Sequence, residues 1–350
     1  MSTILYSLVK SVVKTGLYGY HKKIVISGLE HIPKDKPVMF LPNHQSALID
    51  VLLIATDCNR KPYFLTRSDV FKGKLLKRIF SYFQMLPIYR MRDGRDTLSN
   101  NDAIFNSCAE ILNRGEALLL FPEANHNLQR RVRPLSKGFT RILFRTFEMY
   151  PALDVQLIPV GFNYKHAAHF PDEVTICYGK PISARSLFDG NDLNTSSINI
   201  KNQISSSLEN LTTHILIDED YDAILNRLKA EKVDFLNPTS VNEKIKVLTQ
   251  PGIDSSNMPV SEKRKFNLFS WLFAFLNYPV IIIWRLWVKP KVLEDEFLGT
   301  FRFAFAMISY LIYMIFVFAV IAIVFTSYIA IGGICILTLL NLWMVKYALK

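Results

Sequence analysis

The first two thirds of the chain alternate short apolar runs with longer amphipathic stretches. Strands separated by helices produce this pattern, so it predicts an α/β domain with a central sheet flanked by helices. The predicted strands lie at residues 24–26, 38–41, 63–65, 85–89, 117–121, 155–160 and 174–178. The predicted helices lie at residues 51–57, 73–83, 97–113, 138–149, 197–216 and 219–231.

An amphipathic helix is predicted ahead of this domain, at residues 3–21, because Leu5, Leu8 and Val12 recur at helical spacing. Two interpretations stay open: an anchor that dips into one leaflet of a membrane, or a helix packed on the domain. Lys10 and Lys14 interrupt its apolar run, and no small-residue cleavage site follows. We therefore do not expect a secretory signal here.

The last third of the chain contains three long apolar segments, at Leu268–Val288, Ala304–Phe325 and Tyr328–Val345. As helices they would span about 31, 33 and 27 Å, close to the thickness of a bilayer core. Only Thr326 and Ser327 separate the last two segments. The sequence therefore predicts that these two cross a membrane as a tight helical hairpin.

Basic residues predict the orientation of this tail. Arg302, Lys346 and Lys350 lie at the open end of the hairpin, which the positive-inside rule assigns to the cytoplasm. Basic residues flank Leu268–Val288 on both sides, and Pro279 lies in its middle. We expect that segment to be re-entrant or interfacial. The expectation is a multi-pass integral membrane protein with a cytoplasmic domain, with a bacterial inner membrane favoured.

These patterns divide the chain into four regions. Residues 1–22 are the N-terminal helix, and residues 23–215 are the α/β domain. Residues 216–265 are a helical and linker region, in which prolines predict a linker from Asn237 to Pro259. Residues 266–350 are the membrane region.

Charge and cysteine content narrow the function. The formal net charge is +11 and the isoelectric point is about 9.4, which suits anionic partners unless it reflects only a basic solvated surface. Nucleic acid is disfavoured because the aromatic residues concentrate in the tail and no stacking motif is present. The four cysteines are far apart, so we expect neither a metal site nor a disulfide framework, and a reducing compartment.

Chemistry is concentrated first in the segment from Asn43 to Asp50, between a strand and an apolar helix. Histidine suits a general base because free imidazole has a pKa near neutrality, so His44 is the candidate base and Asp50 the carboxylate that orients it. Six helical positions would put the two on different faces, so His44 must lie in the loop and Asp50 near the first turn of the helix. The alternative is a loop histidine beside an N-cap aspartate.

Two further segments carry candidate substrate ligands. Arg90 and Arg92 alternate, so in an extended segment both face one side and suit a phosphate, although a solvated edge strand gives the same pattern. Glu123 follows a buried strand that ends at Pro122, and it suits an acceptor hydroxyl. A second candidate phosphate cradle follows, made of Asn125, His126, Arg130, Arg131, Arg133, Lys137 and Gly138.

No other nucleophile or metal motif competes with this arrangement. Ser46 lies near His44 but has no G-x-S-x-G elbow, and no cysteine pairs locally with a histidine. His44 and His126 lack the spacing of a zinc-binding H-E-x-x-H motif. Direct transfer to a hydroxyl, without a covalent intermediate, is the simpler hypothesis.

These segments, in this order over residues 20–185, resemble the PlsC-like glycerolipid acyltransferase family. Five residues separate His44 from Asp50, where most of the family has four, and that spacing resembles the yeast-type glycerol-3-phosphate/dihydroxyacetone-phosphate acyltransferase branch. The family's third motif is Phe-Pro-Glu-Gly followed by Thr or Ser, and this chain has Ala124 and Asn125 at the last two positions. Leu157–Val160 resembles the fourth motif.

The resemblance implies an O-acyltransferase of phospholipid synthesis, with an acyl-CoA or acyl-carrier-protein donor and a glycerol phosphate-type lipid acceptor. It also implies catalysis by His44 and Asp50, and no metal or cofactor. The expected acceptor is 1-acyl-glycerol-3-phosphate. Glycerol-3-phosphate and dihydroxyacetone phosphate are the alternatives, and a non-catalytic membrane scaffold with this fold is the alternative from another class.

Overall fold

A computed structural model describes residues 3–71, 73–89, 99–216, 220–250 and 267–349. Its strands are β1 (Lys23–Ser27), β2 (Val38–Pro42), β3 (Pro62–Arg67), β4 (Met85–Ile88), β5 (Ala117–Leu119), β6 (Gln156–Tyr164), β7 (Glu173–Tyr178) and β8 (Ile182–Ser183). The helices of the first two thirds are α1 (Thr3–Tyr20), α2 (Ala47–Asp57), α3 (Lys74–Tyr82), α4 (Asn100–Asn113), α5 (Gly138–Met149), α6 (Leu193–Leu211), α7 (Tyr221–Ala230) and α8 (Pro238–Leu248). The predicted α/β class is confirmed.

The eight described strands form one mixed sheet in the order β1-β7-β6-β2-β5-β3-β4, with β8 beside β6. Most neighbours are parallel, and β6 runs antiparallel to β7 and β8. Side chains of β2 alternate between the two faces, as the pleat requires. Val38 and Phe40 join the core under α1 and α2, whereas Met39 and Leu41 join the core under α4, α5 and α6.

The N-terminal helix α1 behaves differently along its length. Leu17 and Tyr20, near its C-terminal end, are buried in the core beside α2. Ile4, Leu5, Leu8 and Val12 are exposed. The C-terminal half is therefore a packed helix, and contact of the N-terminal half with a membrane stays a prediction.

The predicted linker from Asn237 to Pro259 is wrong in its first half, because α8 occupies Pro238–Leu248. The side chain of Asn237 caps this helix by accepting a hydrogen bond from the Ser240 N–H at 3.3 Å. Pro238 occupies the first turn, where its missing N–H costs nothing. The proline that predicted a linker therefore begins a helix, and residues 251–266 lie outside the described part of the chain.

The C-terminal region consists of α9 (Leu268–Leu276), α10 (Tyr278–Ile283), α11 (Leu298–Val324) and α12 (Ser327–Trp343). Helices α11 and α12 are apolar, long enough to cross a membrane and packed against each other, and their crossing of a membrane as a hairpin stays a prediction. The segment from Leu268 to Lys291 is bent by 87°, which agrees with the prediction that it is not one straight span. Asn277 and Asn341 exchange side-chain hydrogen bonds at 2.8 and 3.2 Å and join this segment to α12.

Candidate active site

Two loops meet at the carboxyl edge of the sheet. Strands β2 and β5 are parallel neighbours, with Val38 opposite Ala117 and Phe40 opposite Leu119. The chains that leave these strands therefore emerge side by side, as is usual for sites in α/β domains. We call residues 43–46 the histidine loop and residues 120–127 the glutamate loop.

The histidine loop and the first turn of α2 form a histidine–carboxylate pair. His44 Nδ1 lies 2.9 Å from Asp50 Oδ2, with His44 in the loop and Asp50 on α2. Asp50 is fully buried, whereas 14% of the His44 side chain is exposed. Within the described part of the chain, no residue binds the second ring nitrogen, Nε2. The pair thus presents one imidazole nitrogen to a substrate.

The Asp50 carboxylate receives three further hydrogen bonds. The backbone N–H groups of Gln45 and Ser46 donate to Oδ2, each at 2.9 Å. The hydroxyl of Tyr164 donates to Oδ1 at 2.5 Å. These bonds satisfy the charge of a buried carboxylate, and they fold the histidine loop around it. Asp50 is therefore the centre of the loop rather than the N-cap of α2.

The start of the histidine loop is fastened to β6. Asn43 accepts a hydrogen bond from the Phe162 N–H at 2.7 Å and donates to the Phe162 carbonyl at 3.2 Å. The N–H of Asn127, in the glutamate loop, donates to the His44 carbonyl at 3.0 Å. The backbone on both sides of the imidazole is thus held in place.

Aromatic rings fix the orientation of the imidazole. The rings of His44 and Phe121 are stacked, with centroids 3.7 Å apart and planes 17° from parallel. His126 approaches His44 edge-on, with ring centroids 5.7 Å apart. Both neighbours belong to the glutamate loop, so the two loops form one site.

Glu123 forms a second buried ion pair in this site. Arg133 Nη2 donates to Glu123 Oε2 at 2.8 Å, Arg133 Nε donates to the same oxygen at 3.2 Å, and the Arg133 N–H donates to Oε1 at 3.3 Å. Burial raises the pKa of the Glu123 carboxyl, against the opposing effect of Arg133 and His44. Oε1 keeps a free lone pair, so binding of an acceptor hydroxyl by Glu123 stays a prediction.

The turn after Glu123 keeps a left-handed conformation without glycine. Ala124 has a φ of 62°, a region where a Cβ is unfavourable. The resemblance places glycine at this position in the family. The tight turn therefore survives the substitution, at a cost in backbone strain.

Two groups of predicted ligands have no tested role. Arg90 and Arg92 lie outside the described residues. Asn125, Lys137 and Gly138 are described, but Asn125 and Lys137 are exposed, and Gly138 only begins α5. Their binding of substrate stays a prediction.

Two arginines of the predicted phosphate cradle form hydrogen bonds within the protein instead. Arg133 binds Glu123, as described above. Arg130 donates to the carbonyls of Tyr164 and Lys165, each at 2.9 Å, and its guanidinium lies 3.8 Å from the ring centroid of Phe235. Because Arg130 and Arg133 bind other groups of the protein, the prediction that they form part of a phosphate site is wrong. The sequence could not show this, since their partners are brought close only by the fold.

Sequence reasoning missed Tyr164, because it ended the strand at Val160. The strand continues to Tyr164, and Val160, Phe162 and Tyr164 share the core face with Ile158. The apolar alternation past Gly161 was the available signal. A buried tyrosine on that face needs a hydrogen-bond partner, and here the partner is Asp50.

The arrangement suits removal of a proton from a hydroxyl. Asp50 accepts the Nδ1 proton and thereby fixes the tautomer, so Nε2 carries the lone pair. A partly exposed imidazole with a buried carboxylate behind it is the usual constellation of a general base.

Part of the chain is similar to known acyltransferases. Residues 23–163 match the Acyltransferase family model. A chloroplastic 1-acyl-sn-glycerol-3-phosphate acyltransferase of Brassica napus is 27% identical over 146 residues, which are 41% of this chain and 40% of that protein. One of Arabidopsis thaliana is 28% identical over 131 residues, 37% of this chain and 35% of that protein. The matches thus span about two fifths or less of these relatives.

Among solved structures, the PlsC 1-acyl-sn-glycerophosphate acyltransferase of Thermotoga maritima aligns with a TM-score of 0.40 and 17% identity. That alignment covers 57% of this chain and 78% of the other. The family match includes the histidine loop, α2 and the glutamate loop, and with them His44, Asp50 and Glu123. The similarity to the acyltransferase family is thus carried by residues 23–163 of this chain.

Proposed function

We propose that this chain is a membrane-bound O-acyltransferase that transfers a fatty acyl chain to 1-acyl-glycerol-3-phosphate, with His44 as the general base. The donor is an acyl thioester, either acyl-CoA or acyl-carrier protein. The observation that carries the proposal is the His44–Asp50 pair, inside the region that matches the acyltransferase family. The names of the two plant relatives support the acceptor.

The reaction needs only proton transfer and positioning. His44 Nε2 removes the proton of the acceptor hydroxyl as its oxygen attacks the thioester carbonyl. The tetrahedral intermediate collapses, the C–S bond breaks, and the imidazolium returns its proton to the departing thiolate. Asp50 stabilises the imidazolium through its Nδ1–H. No covalent acyl-enzyme is required.

The position of the site relative to the tail supports a lipid acceptor. Helix α11 begins at Leu298, and Thr300 contacts the backbone of Ser46 and Leu48. At 1.5 Å per residue, the uncharged part of α11 begins at Ala304, only about 6 Å along the helix from Thr300. The hydroxyl of an acceptor embedded in a membrane would therefore need to move only a short distance out of the bilayer to reach His44.

The alternative acceptors are glycerol-3-phosphate and dihydroxyacetone phosphate. The five residues between His44 and Asp50 favour them, through the branch that this spacing resembles. They are water-soluble, so the position of the site beside the membrane gives them no advantage. We rank lysophosphatidic acid first for that reason.

The function can be tested with purified chain in detergent or in vesicles. Radiolabelled acyl-CoA and acyl-carrier protein are each offered with lysophosphatidic acid, glycerol-3-phosphate or dihydroxyacetone phosphate, and products are separated by thin-layer chromatography. We expect labelled phosphatidic acid. Labelled product from a water-soluble acceptor alone would select the alternative, and absence of acyl transfer to all three would favour a membrane scaffold.

For the location, we propose a multi-pass protein whose catalytic domain faces the cytoplasm, in a bacterial inner membrane. Arg302 and Lys346, at the open end of the hairpin, support that orientation. The test uses single cysteines in a background without Cys58, Cys108, Cys177 and Cys335. Ser327→Cys should react with an impermeant thiol reagent from outside, and Lys350→Cys only after permeabilisation. Labelling of both from one side would contradict the hairpin.

A further inference from the structure

The start of the membrane helix α11 is built into the active site. Its residues Gly299 and Thr300 lie against Ser46, Leu48 and Ile49, at the junction of the histidine loop with α2. We propose that Thr300 is a positioning residue for His44, which makes alignment of the base depend on docking of the membrane helix. The inference rests on the proposed function for its kinetic consequences.

The first argument is the missing cap of α2. The N-cap residue Ser46 makes no side-chain capping hydrogen bond to its own helix. Thr300 takes over this role from 254 positions away: its hydroxyl accepts from the Leu48 N–H at 3.1 Å. The same hydroxyl donates to the Ser46 carbonyl at 3.2 Å. One side chain of the tail thus satisfies a donor and an acceptor at the helix start.

These bonds act on the backbone that carries the base. The Ser46 N–H donates to Asp50 Oδ2, while the Ser46 carbonyl accepts from Thr300. Ser46 is therefore held between the carboxylate that orients His44 and the first turn of α11. His44 is two residues away, so movement of Ser46 moves the base relative to Asp50.

Close packing at Gly299 is the second argument. A Cβ added there would lie 3.0 Å from Ser46 Oγ, 3.1 Å from the Ala167 carbonyl and 3.3 Å from Ile49 Cδ1. These distances are shorter than ordinary van der Waals contact, so a larger residue would push α11 away from the loop. Glycine is unfavourable inside a helix, and the close approach gives its presence here a physical reason.

A contact at the other side of the site is weaker. Glu294, ahead of α11, lies 3.1 Å from His126 Nε2, and Phe297 packs edge-on against the His126 ring. Glu294 is exposed, so this pair contributes little. The hydroxyl of Thr300 therefore carries the coupling.

The test compares Thr300→Val with Thr300→Ser in the full-length chain. Valine keeps the branched shape and removes both hydrogen bonds, whereas serine restores the hydroxyl. Ser309→Ala is the matched control, because Ser309 lies on the same helix and its hydroxyl donates to the Phe305 carbonyl of that helix. Steady-state acyl transfer and hydrogen exchange of the Leu48 amide are measured for each, together with thermal unfolding.

For Thr300→Val we expect kcat to fall on the order of tenfold or more, because catalysis is sensitive to small displacements of the base. KM for donor and acceptor should stay within about twofold, since no substrate contact is removed. The Leu48 amide should exchange about 2- to 30-fold faster, the effect of losing one cap. Thr300→Ser and Ser309→Ala should resemble the wild type.

Wild-type kcat and exchange in Thr300→Val would overturn the inference, as would equal losses in Thr300→Val and Ser309→Ala, or failure of serine to restore kcat. Should Thr300→Val not fold, Gly299→Ala takes its place. The added Cβ would crowd Ser46, so a merely structural role predicts lower thermal stability with unchanged kcat, and positioning predicts a lower kcat. Absence of acyl transfer by the wild type would overturn the proposed function, while the exchange comparison would still decide whether Thr300 holds the loop.

Discussion

The histidine loop and the glutamate loop each carry a buried ion pair, and the two pairs are built differently. In the first, Asp50 accepts four hydrogen bonds, while Nε2 of His44 has no partner among the described residues. In the second, Arg133 binds both oxygens of Glu123. The first pair exposes a ring nitrogen without a partner, whereas the second keeps only a lone pair on Glu123 Oε1.

This difference suggests that the His44–Asp50 pair takes part in the reaction, while the Glu123–Arg133 pair stabilises the loop beside it. The proposed role of His44 as a general base requires contact with a substrate, and Nε2 of the His44–Asp50 pair is available for it. The Glu123–Arg133 pair instead ties the glutamate loop to the chain that follows it, and this loop supplies Phe121, the ring stacked on His44. We therefore expect mutations in the first pair to change turnover and mutations in the second to change stability.

Among the variants that keep His44, the largest effect should come from Asp50→Asn. The amide cannot hold Nδ1–H as the carboxylate does, and it cannot stabilise the imidazolium, so turnover should fall by about 10²-fold or more. Asp57→Asn is the matched control, because Asp57 ends the same helix and binds Lys14 and Tyr18 instead. Equal turnover by Asp50→Asn and Asp57→Asn would show that Asp50 has no specific role in the reaction.

Arg133→Met should lower the free energy of unfolding by about 3–5 kcal/mol, because it leaves the buried Glu123 carboxylate without its partner. The double variant Glu123→Gln/Arg133→Met should lose less, since no buried charge remains. The exposed pair of Arg114 and Glu116 is the control, and Arg114→Met should cost less than about 1 kcal/mol. Unfolding in detergent measures all three, and a double variant less stable than Arg133→Met would contradict the account.

A third charged position is Arg90, which follows β4 in the sequence. Strand β4 ends at the same edge of the sheet as β2 and β5. If Arg90 binds the acceptor phosphate, Arg90→Gln should raise the acceptor KM about tenfold, the value of one charge-assisted contact. Donor KM should not change, and Arg114→Gln should leave both constants unchanged. A rise in donor KM alone would show that the phosphate assignment is wrong.

The smallest effect concerns the strained turn of the glutamate loop. Ala124→Gly should stabilise the protein by about 0.5–1 kcal/mol, because glycine adopts a φ of 62° without the Cβ penalty. Ala103→Gly is the control, since Ala103 is exposed on α4 and glycine should destabilise that helix by about 1 kcal/mol. A lower melting temperature for Ala124→Gly would show that the turn is not strained.

Local patterns predicted what depends on local forces. Alternating apolar runs located strands β1 to β7 but not the short β8, and the charge-free segments located α11 and α12. The positions of His44 before α2 and of Asp50 in its first turn also followed from helical geometry. These features depend on residues that are neighbours in sequence.

Partners far apart in sequence were not predictable in the same way. The bonds from Tyr164 to Asp50 and from Thr300 to Ser46 depend on how the sheet and the tail pack, and no spacing rule links residues 114 or 254 positions apart. The commitment of Arg130 to backbone carbonyls has the same origin. A run of arginines in a sequence suggests a phosphate site, but the folded protein can supply internal partners for the same guanidinium groups.

The most direct test of the central claim is the turnover of His44→Ala in the acyl-transfer assay, with protein level and membrane association measured beside it. Removal of the general base should lower turnover by at least ~10²–10⁴-fold, with both controls unchanged. A carbonate wash should still leave the protein in the membrane, because α11 and α12 are intact. Near-normal acyl transfer by His44→Ala would contradict the account.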